Sequence, residues 1–261
     1  MASNSFFKKN YHVDLIDVDF NNRLKLSALF GYLQDVASLH SESLSMGFCE
    51  MTQKYNKTWV LMRARLEISR IPRLNEEISI ETWPQTPKKL DVERDFLVRD
   101  KNQNIIAKAS SIWVVLDLKT RRLSKLDFIA KDFPEIISDR ALSNKLGKLS
   151  AFGDLKSVYK KVVGYSDIDV NGHLNNTKYV DYIMDCFPID THKRYIVKAL
   201  ELNFITEALC GDTIQLLRDI SDLDSNLVYI EGTNYETNKE VFRSQIEIEP
   251  LNNQSSKLDK N

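Results

Sequence analysis

The sequence predicts an α+β protein built twice on one plan, a helix followed by an antiparallel meander in each half, joined in tandem. Three observations predict it. A polar motif recurs 150 residues apart, as Asp17-Val-Asp-Phe-Asn-Asn-Arg-Leu24 and Asp167-Ile-Asp-Val-Asn-Gly-His-Leu174. Each copy opens a segment with apolar residues at helical spacing. Each helix is then followed by strand-like alternation that turns back at a polar, Asn-bearing loop. That order fits a helix wrapped by a curved sheet. Two long copies, rather than many short ones, point to a fused pseudo-dimer instead of a solenoid.

The elements follow in order. In the first half, Leu26, Leu29, Phe30, Leu33 and Ala37 form a helical stripe. In the second, Tyr179, Val180, Ile183 and Phe187 do so, with Asn175 or Asn176 as N-cap and Pro188 as the stop. Strands follow, because Ile78 and Ile80 alternate with Ser79 and Glu81, and Leu200, Leu202 and Phe204 alternate with Glu201 and Asn203. Residues 100–104 and 236–240 read as hairpin turns. Beyond the helix the repeat offset falls from 150 to 136, so the first copy holds about 14 extra residues, placed within 40–57. The expected organisation is a first domain over 1–126, a crossover connection over 127–157, a second domain over 158–250, and a polar, disordered tail over 251–261.

Composition narrows the function classes. Of the 261 residues, 43% are hydrophobic and 28% charged, as in an ordinary globular protein. A net charge of -1 argues against a nucleic-acid partner. No apolar run approaches the roughly 18–20 residues of a membrane span, and no secretory signal is read at the N-terminus. Three cysteines, Cys49, Cys186 and Cys210, without a CxxC pair, suit reduced thiols in the cytoplasm. No His/Cys cluster suggests a metal, and no cofactor is expected.

The second motif carries the candidate chemistry. Asp169, Asn171 and His173 fall at every second residue, which in an extended segment projects them to one side. A carboxylate beside an imidazole fixes its tautomer, an amide can polarise a carbonyl, and the N–H groups of a helix start favour developing negative charge. This collection suits attack on a carbonyl. A structural turn accounts for Asp and Asn as well, since Asp19 and Asn21 recur in the copy that has Arg23 instead of histidine. A turn has no need of His173.

The run Asp167-Ile-Asp-Val-Asn-Gly-His-Leu-Asn-Asn-Thr-Lys-Tyr179 resembles the signature of the acyl-(acyl carrier protein) thioesterases of plants and bacteria. Glu207-Ala-Leu-Cys-Gly-Asp212 and Trp59-Val-Leu-Met-Arg63 resemble the same family, and the resemblance covers nearly the whole chain. It implies a double hotdog fold, two tandem hotdog domains packed as a pseudo-dimer. It also implies hydrolysis of fatty acyl thioesters carried on the phosphopantetheine of acyl carrier protein. The family's catalytic set falls on Asp169, Asn171, His173 and Glu207. Some plant members have a cysteine directly after the glutamate; here that position is Ala208, and Cys210 is out of register, which disfavours a thiol nucleophile. In a strand Cys210 would share the side of Ala208.

The resemblance also implies an acyl cavity in the first domain, with Leu29, Leu33 and Met62 as candidate walls, although each taken singly reads first as a plain core residue. His40 reads as a structural histidine, and Lys88, Lys89, Arg121 and Arg122 as solvated cations that an acidic carrier can meet. A pseudo-dimer can act alone or pair again as a homodimer. Two rival readings remain: the same hydrolysis on coenzyme A thioesters, and a non-catalytic acyl-binding module, which would need neither His173 nor Glu207.

Overall fold

Each copy of the repeated motif leads straight into a helix. The computed structural model describes residues 5–129, 133–151, 153–219, 221 and 226–251. Its contacts divide the chain into two units, Met1–Lys148 and Leu149–Asn261. Each is a helix held against an antiparallel sheet, so the chain is a double hotdog.

In the first unit, α1 (Leu26–Ser43) buries Leu26, Leu29, Phe30, Leu33, Val36, Ala37 and His40, the stripe expected at a period near 3.6. The sheet runs β1 (Phe7–His12), β3 (Glu77–Pro84), β4 (Asp91–Asp100), β5 (Ile105–Asp117), β2 (Lys57–Ile68), all neighbours antiparallel. A short β6 (Leu123–Ser124) pairs with β5. The extra residues of this copy lengthen α1 to 18 residues and build α2 (Phe48–Tyr55). Met51 of α2 joins Met46, Val92, Val115, Leu126 and Ile129 in a buried cluster.

The two faces of β4 are anchored by opposite charges. Arg94 turns inward, where burial pulls its guanidinium down to about 10. Its Nη1 donates to Nδ1 of the buried His40 at 3.0 Å, so His40 belongs to the interior of this unit. The next residue, Asp95, must point to the other face. It is fully buried there and accepts from Arg140 Nε at 2.7 Å, from Gln85 Nε2 at 3.1 Å and from Ser110. Trp83 Nε1 donates to the Asp139 carbonyl at 2.9 Å. These bonds strap the strandless segment 133–148 to the sheet.

The second unit repeats the plan with a shorter helix. Here α3 (Asn176–Asp185) buries Tyr179, Val180, Tyr182 and Ile183, while Phe187 lies just past its end. Asn175 is the N-cap, its side chain accepting from the Thr177 N–H at 2.9 Å. Pro188 caps a further short helix, α4 (Ile189–Arg194). The sheet order is β8 (Tyr195–Phe204), β11 (Glu240–Pro250), β10 (Leu227–Asn234), β9 (Thr213–Asp219), β7 (Lys156–Val162), again antiparallel throughout. Gly232 faces Phe242 across the β10–β11 pair, and a Cβ there would collide with its ring. The absent side chain lets Phe242 stand edge-on to Tyr179 of α3, ring centres 5.6 Å apart.

Alternation failed at Asn203, expected to face outward from β8. It is buried, because its Oδ1 accepts the Leu149 N–H at 2.8 Å. The division at Lys148 and Leu149 falls inside the connection expected over 127–157, and β7 starts at Lys156. Of the expected tail over 251–261, Leu251 donates its N–H to the Arg194 carbonyl at 2.7 Å; residues 252–261 lie outside the described residues.

Candidate active site

The two motifs fold as the same closed turn. In the second, the Asp169 N–H donates to the His173 carbonyl at 2.8 Å and the Gly172 N–H to the Asp169 carbonyl at 3.0 Å. In the first, Asp19 and Arg23 are joined at 2.8 Å, and Asn22 and Asp19 at 3.0 Å. Both turns need a left-handed residue, supplied by Gly172 at φ 79° and Asn22 at φ 57°. The aspartate side chain completes each. Asp169 Oδ1 accepts from the N–H groups of Asn171 at 2.8 Å and His173 at 3.3 Å, as Asp19 does from Asn21 at 2.7 Å and Arg23 at 3.0 Å.

This corrects the extended segment expected from every-second-residue spacing. Asp169 reaches the Asn171 side chain at 3.4 Å, but it meets His173 through the backbone rather than the ring. The motif's first aspartate is structural in both copies, Asp167 accepting from the Tyr182 hydroxyl at 3.1 Å and Asp17 from that of Tyr32 at 2.7 Å.

Each turn then meets the loop that leaves the long strand. The Leu174 N–H donates to the Ala208 carbonyl at 2.9 Å, and the Leu24 N–H to that of Pro72 at 2.8 Å. Bridges join His173 with Leu209 and Arg23 with Arg73. The structure thereby fixes the repeat register, and Glu207 corresponds to Ile71. In the second unit this contact brings His173 Nε2 to 3.4 Å from Glu207 Oε2, with side chains 22% and 38% exposed. The pair is open enough for substrate and still in contact. Asp169, Asn171, His173 and Glu207 are thus gathered at one turn and one loop.

Tyr179, read from sequence only as core, also belongs here. It is buried, and its hydroxyl hydrogen-bonds the Ala208 backbone. Burial raises its pKa above the usual phenol range, opposed by the Ala208 bond and reinforced by the nearby Glu207, Asp169 and Asp212 carboxylates. The sequence signal was available: Tyr179 stands opposite Leu29 in the first copy.

The expected helix-start donors are partly committed. The Asn175 N–H bonds the Asp167 carbonyl, that of Thr177 bonds the Asn175 side chain, and that of Lys178 bonds the Asn175 carbonyl. Cys210 is exposed but lies in a turn, not in the strand that would have aligned it with Ala208. Cys186 is buried, which pushes its thiol up to about 12.

In the first unit, a small cavity of about 20 Å³, room for roughly one water, lies between α1 and the sheet. Leu33 lines it with Phe30, Leu61, Phe96 and Trp113. Leu29 is buried but is not among its walls, and Met62 sits at the bulge between Leu61 and Arg63 in the β2–β5 pairing.

Two family models match, the acyl-ACP thioesterase N-terminal domain over residues 4–137 and the acyl-ACP thioesterase C-terminal domain over 155–254. The palmitoyl-acyl carrier protein thioesterase, chloroplastic, of Arabidopsis thaliana is 26% identical over 230 residues, covering 84% of this chain and 56% of that protein. The oleoyl-acyl carrier protein thioesterase, chloroplastic, of Coriandrum sativum is 26% identical, covering 87% of this chain and 66% of that one. The chain thus spans between half and two thirds of the length of these plant relatives. Among solved structures, an acyl-ACP thioesterase from Bacteroides thetaiotaomicron VPI-5482 superposes with a TM-score of 0.86 at 27% identity, covering 94% of this chain and 98% of that one. The 12:0-ACP thioesterase of Umbellularia californica shares the fold, with a TM-score of 0.82 at 23% identity over 94% of this chain and 98% of that one.

Proposed function

This chain belongs to the acyl-ACP thioesterase family, and on that premise we propose that it hydrolyses fatty acyl thioesters of acyl carrier protein. The observation that carries the reading is the 3.4 Å approach of His173 Nε2 to Glu207 Oε2, absent from the equivalent turn of the first unit. An acyl-binding module has no use for that pair.

In the proposed reaction a water is held between His173 and Glu207, which take its proton as its oxygen bonds to the thioester carbonyl carbon. The carbonyl oxygen becomes an oxyanion, held by the Asn171 side-chain amide and the N–H of Asn176, the first residue of α3. Collapse breaks the C–S bond, and the proton passes to the leaving thiolate, giving free fatty acid and the carrier's phosphopantetheine thiol. Asp169 shapes the turn that aims Asn171 and His173. No step requires a cofactor or metal.

The acyl chain is assigned to the first unit, in the cavity lined by Leu33, with Leu29 and Met62 as candidate flanking residues. In its present form the cavity holds no chain, so substrate entry must displace side chains around it. Lys88, Lys89, Arg121 and Arg122 are the candidate cations for carrier docking, and Lys88 also pairs with Glu93 at 2.6 Å and Asp91 at 3.3 Å. Free thiols fit a reducing compartment, and the reading sets the chain in the cytoplasm, although the plant relatives are named as chloroplastic. No helix among the described residues is long and apolar enough to cross a membrane.

The test is to incubate purified protein with acyl carrier protein and coenzyme A thioesters of graded chain length, measuring released fatty acid and thiol. Release from the carrier-linked series is expected. No release from either series removes the enzyme reading, and release from coenzyme A alone moves it to that carrier.

A further inference from the structure

We infer that Tyr179 is a positioning residue, whose hydroxyl holds the Ala208 peptide and through it sets Glu207 opposite His173. The inference rests on the hydrolase reading above.

Ala208 directly follows Glu207 in the loop. Ala208 is buried, and its carbonyl already accepts the Leu174 N–H at 2.9 Å. That bond ties the loop to the residue directly after His173. The same Ala208 backbone also bonds the Tyr179 hydroxyl, and with the carbonyl engaged by Leu174, the N–H is the natural donor to the phenol oxygen. A bond donated to that oxygen favours the phenolate, which matches its lowering effect on the Tyr179 pKa. Ala208 is thus held at both of its backbone groups, the carbonyl by the turn and the N–H by the helix.

The clamp is itself well supported. The Tyr179 ring stands edge-on to Phe204 at 5.1 Å and Phe242 at 5.6 Å, and Gly232 makes room for the latter. Phe204 ends the strand from which the Glu207 loop departs. One aromatic residue therefore reads the position of the strand end and of the loop together.

The first unit supplies the internal comparison. It keeps the turn, the left-handed residue and the carbonyl bond, now from Leu24 to Pro72. It lacks the histidine and the glutamate, having Arg23 and Ile71. It also lacks both partners of the clamp, because Leu29 replaces Tyr179 and Pro72, opposite Ala208, has no N–H. Turn closure therefore needs neither Tyr179 nor the Ala208 N–H. The clamp accompanies the His–Glu pair alone.

Two variants test this, each removing one partner. Tyr179→Phe keeps the ring packing and deletes the hydroxyl; Ala208→Pro copies the first unit and deletes the N–H. Steady-state kinetics on an acyl carrier protein thioester that the unaltered protein cleaves should show kcat lowered about 10- to 100-fold in each, with KM within about 2-fold, since small misplacement of a catalytic group is costly while binding is untouched. The double variant should lose no more than either single one, because both delete the same bond. Ring-proton NMR titration of His173 should shift in both variants, a readout that a purely structural residue would not move. Unchanged kcat and His173 titration in Tyr179→Phe, with only a lower Tm, would overturn the inference and leave the hydrolase reading intact. Absence of turnover in the unaltered protein strikes the hydrolase reading, and the NMR comparison still decides whether the clamp holds the pair. If Ala208→Pro misfolds, Tyr179→Phe alone decides.

Discussion

His173 and Glu207 stand 3.4 Å apart across a turn and a loop whose backbone closure the first unit reproduces with Arg23 and Ile71 in their places. The chain thus contains its own comparison, a scaffold with the pair and the same scaffold without it.

That comparison makes the first prediction direct. His173→Ala and Glu207→Gln should each lower kcat by about 100-fold or more, the usual scale for losing a proton-transfer group. Cys210→Ala should leave kcat within about 2-fold, since Cys210 lies in an exposed turn away from the register of the pair. Thiol release from a carrier-linked acyl substrate measures both, and full activity in His173→Ala would falsify the site.

The paired turns give a second test. Asp19→Ala and Asp169→Ala each remove two backbone hydrogen bonds and should cost about 1–2 kcal/mol in chemical denaturation. Only Asp169→Ala should also depress kcat, because only its turn aims Asn171 and His173. Equal kinetic losses in the two variants would mean that the turn acts on the fold and not on the chemistry.

Chain-length preference should respond to Leu33. Leu33→Ala enlarges the cavity beneath α1 at a cost of about 2–5 kcal/mol in stability. The fatty acids released from graded substrates should shift toward longer chains. An unchanged profile would place the acyl chain elsewhere.

Acid stability should depend on Glu93. Burial pushes its pKa up, but hydrogen bonds from Lys88 and Arg140, both at 2.6 Å, outweigh this and hold it below the ordinary value. A depressed carboxyl contributes stability that is present above its unfolded pKa of roughly 4.3 and is lost as pH falls through the folded value. Melting temperature should therefore drop below about pH 4, and Glu93→Gln should make that drop shallower. A steeper drop in the variant would reverse the assigned sign.

Thiol labelling at pH 8 should separate the three cysteines. Cys49 and Cys210 are exposed and should react promptly, while burial holds Cys186 protonated, its thiol pushed up to about 12 and its Sγ bonded to the Tyr182 carbonyl at 3.3 Å. Alkylation followed by peptide mass analysis reads each site. Rapid labelling of Cys186 in the folded protein would contradict its burial.

The sequence made the scaffold legible where a period is enforced by burial. The spacing from Leu26 to Ala37 marks α1 because every member faces the sheet. The shift in repeat offset located the insertion, but not that part of it would fold as α2. What sequence spacing missed was closure. Asp169, Asn171 and His173 suggested an extended segment, yet the left-handed Gly172 folds them into a turn in which the aspartate serves the backbone. Asn203 departs from strand alternation because of a single hydrogen bond across the fold, and Tyr179 is buried as its helical period requires but carries a hydroxyl bond to Ala208 that the period does not show. Those partners lie far away along the chain, where local pattern carries no signal.

Pro72 gives the silent copy a lasting consequence. Returning histidine to Arg23 and glutamate to Ile71 would restore the reactive groups but not their anchorage, since a proline ring has no proton to give and Leu29 has no oxygen to receive one. Revival would demand four substitutions, two of them useless until the others arrive. The first hotdog thus lacks the anchorage as well as the pair, and two substitutions alone would not convert its turn into a copy of the second.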